Sequence, residues 1–298
     1  MSDLWGWVES AIERLQAGDQ QQQRLAMLLE ALPELIGDDE HTRVDAIVPE
    51  ALALARNLDE RWLELFVRHW NLQSRVLHRY QAGEELREAV DLLEFASRED
   101  TRACPQSVCV VQDLACCYSI SDGPGYVAER LAVARETLAR INPGWPCFDC
   151  ISAEYFSALM DDDRPREALE FVEAQSRALA EHGILTLGSN LVLDQARALL
   201  ALGRAEEALA VVDGKRDTAR YGDSYVMDHR NLRISVLLAL GRDEEALELQ
   251  PPASAIIDTP SHYETWLDNL ALFIARGHID NHWRVGVVVL ELQRRLER

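Results

Sequence analysis

Apolar residues recur along this chain at three- and four-residue spacing, in stretches of roughly fifteen to twenty residues closed by short polar turns. That spacing gathers apolar side chains on one face of an α-helix, because a helix turns once every 3.6 residues. Alternation of apolar and polar residues over strand length does not occur, and no Asn-Gly or Asp-Gly turn sits between alternating runs. The pattern therefore predicts helices throughout. Breaks fall at Gly18, Gly37, Asn57-Leu58-Asp59, Gly83, Ser121–Gly125, Asn142–Pro146, Asp161–Pro165, Gly183, Gly203, Tyr221-Gly222, Gly241, Pro251-Pro252 and Gly277. Glycine and proline there end one helix and start the next, and Pro165 suits a first helical turn, where its missing N–H costs nothing. About a dozen helices with short connections are expected to pack as antiparallel neighbours.

The breaks are periodic. Gly203-Arg-Ala-Glu-Glu-Ala208-Leu is repeated as Gly241-Arg-Asp-Glu-Glu-Ala246-Leu, and Asp163-Arg-Pro-Arg-Glu-Ala168-Leu is a third copy. Glu84-Glu-Leu-Arg-Glu-Ala89-Val is a fourth, and the segment holding Ala128 is a weaker fifth. These alanines recur about every 40 residues, the signature of stacked repeats that bury their apolar faces on each other. Ala89 with Leu93, Ala168 with Val172 and Ala208 with Val212 resemble the second helix of the tetratricopeptide repeat (TPR) family, over roughly residues 60–250. The family period is about 34 residues, its first-helix Trp-x-x-Leu-Gly-x-x-Tyr is missing here, and Ala246 is followed by Gln250; the chain looks like a longer-helix variety. The resemblance implies an all-α solenoid of stacked antiparallel helix pairs wound as a right-handed superhelix. Residues 1–57 read as an N-terminal helical cap, 58–250 as repeats and 251–298 as a C-terminal capping pair of one continuous solenoid.

One predicted helix, residues 61–80, departs from its surroundings: it holds Arg61, Arg68, Arg75 and Arg79 against a single acid, Glu64. At 100° per residue the four arginines fall within about 40°, with Asn71, Ser74 and His78 extending the polar face and Trp62, Phe66 and Trp70 opposite. Two readings stand: the arginines pair with acids on neighbouring repeats, or they form a stripe for a partner's carboxylates, which their planar fork suits. In the resembled family the first helix of each pair lines a concave groove. The resemblance thus implies groove positions at Asn71, Ser74, His78, Asp113, Ser157, Asn190, Arg197, Asp228, Asn231 and Ser235. The family's Lys- and Asn-based clamp for a terminal carboxylate is not matched.

Composition sharpens the choice of partner. The 298 residues carry a formal charge of −21, so nucleic-acid phosphate and anionic lipid would be repelled. No apolar run approaches the roughly 20 residues of a membrane span, and the acidic, amphipathic N-terminus is no secretory signal; a cytoplasmic, bacterial-type protein is expected. The six cysteines, Cys104, Cys109, Cys116, Cys117, Cys147 and Cys150, read as reduced packing residues. Cys147-Phe-Asp-Cys150 has the spacing of half a zinc site or a redox pair, but no second ligand pair of that spacing accompanies it.

Catalytic signals are weak. Asp161-Asp162-Asp163 falls at a repeat turn, His278 and His282 are separated from any clear helix, and His69 lies on an apolar face. Nucleotide-binding glycine motifs and a Gly-x-Ser-x-Gly elbow are missing, so no enzyme and no cofactor is expected. The sequence predicts a scaffold that binds a protein or peptide partner in a groove, acting as adaptor, regulator or chaperone-like subunit. The alternative is an all-helical enzyme or small-ligand sensor with a pocket in that groove.

Overall fold

The computed structural model describes residues 6–38, 40–79, 81–119, 123, 125–145, 147–184, 190–214, 222–256, 262–279, 286, 287, 290 and 294; for 190, 222–225 and 254 only the backbone is described. Trp5, Tyr80, His282 and most of the expected last helix lie outside the described residues. Among those described the regular structure is helical and no strand occurs. The chain divides into two compact units, Met1–Ala158 and Leu159–Arg298. The first holds α1 (Gly6–Gln16), α2 (Gln20–Gly37), α3 (His41–Asn57), α4 (Arg61–Gln73), α5 (Ala82–Ala96), α6 (Gln106–Ser119), α7 (Val127–Leu138) and most of α8 (Phe148–Asp161). The second holds α9 (Pro165–Glu181), α10 (Asn190–Ala201), α11 (Ala205–Asp213), α12 (Gly222–Ala239), α13 (Asp243–Leu249), the short α14 (Ala253–Ile256) and α15 (Tyr263–Ala275).

Within each unit, sequential helices pack on one another, α2 on α3 and α5 on α6 in the first, α9 on α10 and α10 on α11 in the second. Tight connections make these neighbours antiparallel. α1 to α4 share a core of Leu15, Leu25, Leu29, Val44, Leu63 and Phe66, and α4 to α6 share a second around Leu65, Leu92, Phe95 and Leu114. Asp19 starts α2 with a capping box: its carboxylate accepts from the Gln21 and Gln22 amides while the Gln22 side chain accepts from the Asp19 N–H at 2.9 Å.

The repeat motif has a physical explanation at its turns. Asp163, Gly203 and Gly241 all take left-handed φ, +56°, +72° and +69°. The next amide then reaches back across the helix end, Arg164 to the Leu159 carbonyl, Arg204 to Leu199 and Arg242 to Leu237, at 3.0, 2.9 and 2.9 Å. This is a Schellman closure, which satisfies carbonyls left over at a helix end. Each arginine then grips the glutamate three residues on: Arg164 holds Glu167, Arg204 holds Glu207 and Arg242 holds Glu245 through two guanidinium nitrogens. The marker alanines Ala89, Ala168, Ala208 and Ala246 are all fully buried, where a small side chain lets helices approach.

Two expectations change. Ala128, the marker of the fifth copy, is exposed; Leu131 and Ala134 face inward instead, because Gly125 and Tyr126 start α7 from left-handed backbone, φ +81° and +24°. The helix expected over 61–80 is α only to Gln73 and continues as a π-helical turn, Ser74–His78. Ser74 stands seven residues after Val67 and eleven after Leu63, both fully buried, so α spacing puts it on the inward face and it is buried rather than displayed.

A candidate interaction cleft

The arginine face of α4 is tied down by neighbouring acids. Arg61 meets Asp59 at 3.1 Å and Glu64 at 3.3 Å, Arg68 meets Glu88 at 2.7 Å and lies over the Phe95 ring, Arg75 meets Glu85 at 2.6 Å, and Arg79 meets Asp45 at 2.9 Å. The Arg79 hydrogen bond holds the Asp45 carboxyl below its ordinary range. Glu64 is buried and is held from a second side by Arg56 at 2.6 Å. These contacts join α3, α4 and α5.

The expected groove positions scatter. His78 is exposed and Asn71 half-buried, whereas Ser74, Asp113 and Asn231 are buried and do not face solvent. The side chains of Ser74 and Asp113 are paired there, Ser74 accepting from Arg79 at 3.3 Å. Asp113 on α6 accepts from His69 Nδ1 on α4 at 2.6 Å, deep between the two helices. The Asn231 backbone carbonyl accepts from Asn269 on α15 at 3.1 Å, while the Asn231 side-chain amide is buried without a hydrogen-bond partner among the described residues. Ser157 accepts from Arg130 at 3.2 Å, and Ser235 donates to Asn269 at 2.9 Å. Arg197 bridges Asp194 and Asp228 within the second unit. The Asn190 side chain lies outside the described residues.

The thiols also converge. Cys104, Cys109, Cys116 and Cys117 are buried, and Cys109 Sγ lies 2.7 Å from Cys147 Sγ, with Cys150 hydrogen-bonded to Cys147. Among the described residues no group of three or more His, Cys, Asp or Glu side chains is placed to hold a metal ion.

A concavity of about 820 Å³ in the first unit was not foreseen. It opens between α1 and the turn into α4. Trp7 and Trp62 form its walls, edge to face at 5.6 Å between ring centroids. Each indole is fixed: Trp7 donates to Gln106 and Trp62 to the Asp100 carbonyl, both at 2.9 Å. Arg14 donates through both terminal nitrogens to Glu60, at 2.6 and 3.0 Å, and Glu60 in turn raises the guanidinium above its ordinary pKa. Asp59 stands at the mouth, 82% exposed, on a left-handed turn of φ +54°. Of the sequence candidates only Arg61 lines this cleft. The available signal was the seven-residue spacing of Trp7 and Arg14, which puts them on one face of α1.

No helix among the described residues is long and apolar enough to cross a membrane. No family model and no curated protein matches the chain. Among solved structures it is similar to two of a Podosopora anserina putative kinesin light chain with nearly identical TPR-like repeats, one of them a point variant. The variant is 19% identical over 62% of this chain and 90% of that one, with a TM-score of 0.48; the other is 18% identical over 70% and 95%, with a TM-score of 0.47. On its own geometry of left-handed turns, Arg–Glu clamps and buried alanines, the chain has a TPR-like helical-repeat fold.

Proposed function

We propose that this protein is an interaction scaffold that holds a segment of a partner protein in the Trp7–Trp62 cleft. The observation that carries this reading is the cleft itself: about 820 Å³ with two pre-fixed indoles and charges of both signs at its rim. Aromatic walls supply most of the energy of a peptide contact, and fixing them beforehand removes an ordering cost on binding. Asp59 and Asp100 are exposed, and the chain as a whole is strongly negative, which favours a segment with basic residues beside its apolar anchor. Arg68 of α4 and Arg75 and Arg79 just beyond it already hold carboxylates, so they support helix packing more than capture of an anion.

Affinity capture followed by quantitative mass spectrometry tests this with four forms of the full chain. Ser10→Tyr places a ring in the cleft from an exposed position of α1, and Asp59→Asn keeps a residue that tolerates left-handed backbone while removing the charge. A partner held by wild type and by the distant Arg204→Glu control is expected to fall about tenfold or more with Ser10→Tyr. Asp59→Asn is expected to slow association, an effect that fades as salt rises. A partner retained equally by all four forms would place binding elsewhere.

A further inference from the structure

A second concavity in the same unit, about 370 Å³, lies where the C-terminal ends of α5 and α7 meet the start of α6. Its floor is apolar, formed by Val108 and Val111 of α6 with Ile141, and it continues into the buried cluster around Ala134 and Ile151. Among the described residues its charged lining is of one sign: Arg102 and Arg140 contribute, and no described lining residue is acidic. Within a chain of net charge −21 this is a local inversion.

These two arginines differ from those of α4. Among the described residues Arg102 has no carboxylate partner, and Arg140 only approaches Glu136 at 4.0 Å with both side chains largely exposed. At that spacing and exposure solvent screens most of the attraction. The end of α7 favours a cation where Arg140 stands, which holds the charge at the pocket without neutralising it.

Trp145 lines the pocket beside them, and its indole Nε1 is itself shielded from solvent. The hydroxyls of Ser97 and Ser107 already donate to the carbonyls of Leu93 and Arg102 at 2.8 and 3.2 Å. The donors left over are the two guanidinium groups, set beside an apolar floor.

We propose that this pocket binds a small carboxylate with an apolar body. The carboxylate is held by Arg102 and Arg140, whose planar forks match its two oxygens, and the body lies on Val108, Val111 and Ile141. The volume falls at the small end of ligand sites. The same chemistry is offered by a free small molecule and by the terminal carboxylate of a polypeptide. The site is separate from the tryptophan cleft, and either can stand without the other.

The test uses the full chain with ¹⁵N-labelled indoles, the Trp145 resonance being assigned with Trp145→Phe. Phenylacetate is titrated beside its neutral amide, and a short peptide ending in phenylalanine is titrated with a free and with an amidated C-terminus. Phenylacetate is expected to shift the Trp145 resonance saturably and phenylacetamide is not. Arg102→Gln with Arg140→Gln is expected to weaken binding about tenfold or more while circular dichroism and the melting temperature hold, since both side chains are exposed. A free-ended peptide that binds more tightly than phenylacetate identifies a partner's chain end as the source; one that binds no better identifies a free small acid. No saturable shift by either acid up to about 10 mM, or an equal response to acid and amide, overturns the proposal.

Discussion

His69 and Asp113 form the most buried polar pair described in the first unit, at 3% exposure each, linking α4 to α6. Asp113→Ala leaves the His69 ring nitrogen without a partner and is expected to cost about 1–3 kcal/mol in a urea melt. Asp113→Ala that lowered partner binding with stability unchanged would return the residue to a binding surface. The thiols make a second residue-scale case. Burial pushes the Cys104 thiol from 9.0 up to about 12, against hydrogen bonds from the Gln106 and Ser107 backbone. The neighbouring Cys109 thiol and burial push Cys147 up, against Cys150, while Cys147 and burial push Cys150 up. Below the ordinary value the thiol is neutral in both states and its contribution is fully present. As pH climbs from 9.0 toward 12 the unfolded chain loses the Cys104 proton first, so stability falls across that window. Iodoacetamide should therefore label the native protein far more slowly than the unfolded chain at neutral pH, as read by mass spectrometry, because the thiolate is the nucleophile.

The left-handed turns set the boundaries of the helices, and they separate glycine from aspartate. A Cβ added at Gly203 meets nothing within 4 Å, so only its φ of +72° opposes one. Gly203→Ala is then expected to destabilise by about 1–2 kcal/mol, the cost of left-handed backbone for an L-residue. Asp163 occupies the same place in its repeat at φ +56°, and Asp163→Gly is expected to relieve part of that strain and raise the melting temperature. Calorimetry on both variants checks the pair. Equal and opposite signs follow from the shared turn, whereas two losses would mean that the Asp163 side chain contributes more than its backbone costs.

The net charge of −21 belongs to the whole molecule. Self-repulsion among unpaired carboxylates opposes the compact state, and monovalent salt screens it over about 10 Å at 0.1 M. The melting temperature should therefore rise as sodium chloride increases from low values. The clamps gripping Glu167, Glu207 and Glu245 work the other way, but such exposed pairs contribute little each. A melting temperature that fell on adding salt would show that ion pairs outweigh repulsion. The same field governs the proposed partner, for which association should slow as salt rises while the tryptophan contact persists.

The helices, their turns and the repeat were legible in the sequence because each rests on local chemistry. Apolar spacing near 3.6 selects a helix, and glycine or aspartate followed by Arg-x-x-Glu closes one helix and opens the next within seven residues. Only the tertiary structure decided which polar side chains serve the interior. Ser74, Asp113 and Asn231 look like surface residues by type, yet each is buried because a neighbouring helix covers its face. The cleft was equally illegible: Trp7 meets Gln106 across 99 residues, and Trp62 meets Asp100 across 38. Arg102, Arg140 and Trp145 likewise share a pocket only because the ends of α5 and α7 meet the start of α6. Helical periodicity tells a residue which face of its own helix it occupies. It carries no information about which distant helix will be laid against that face, and that choice determines what a charge or an indole can do.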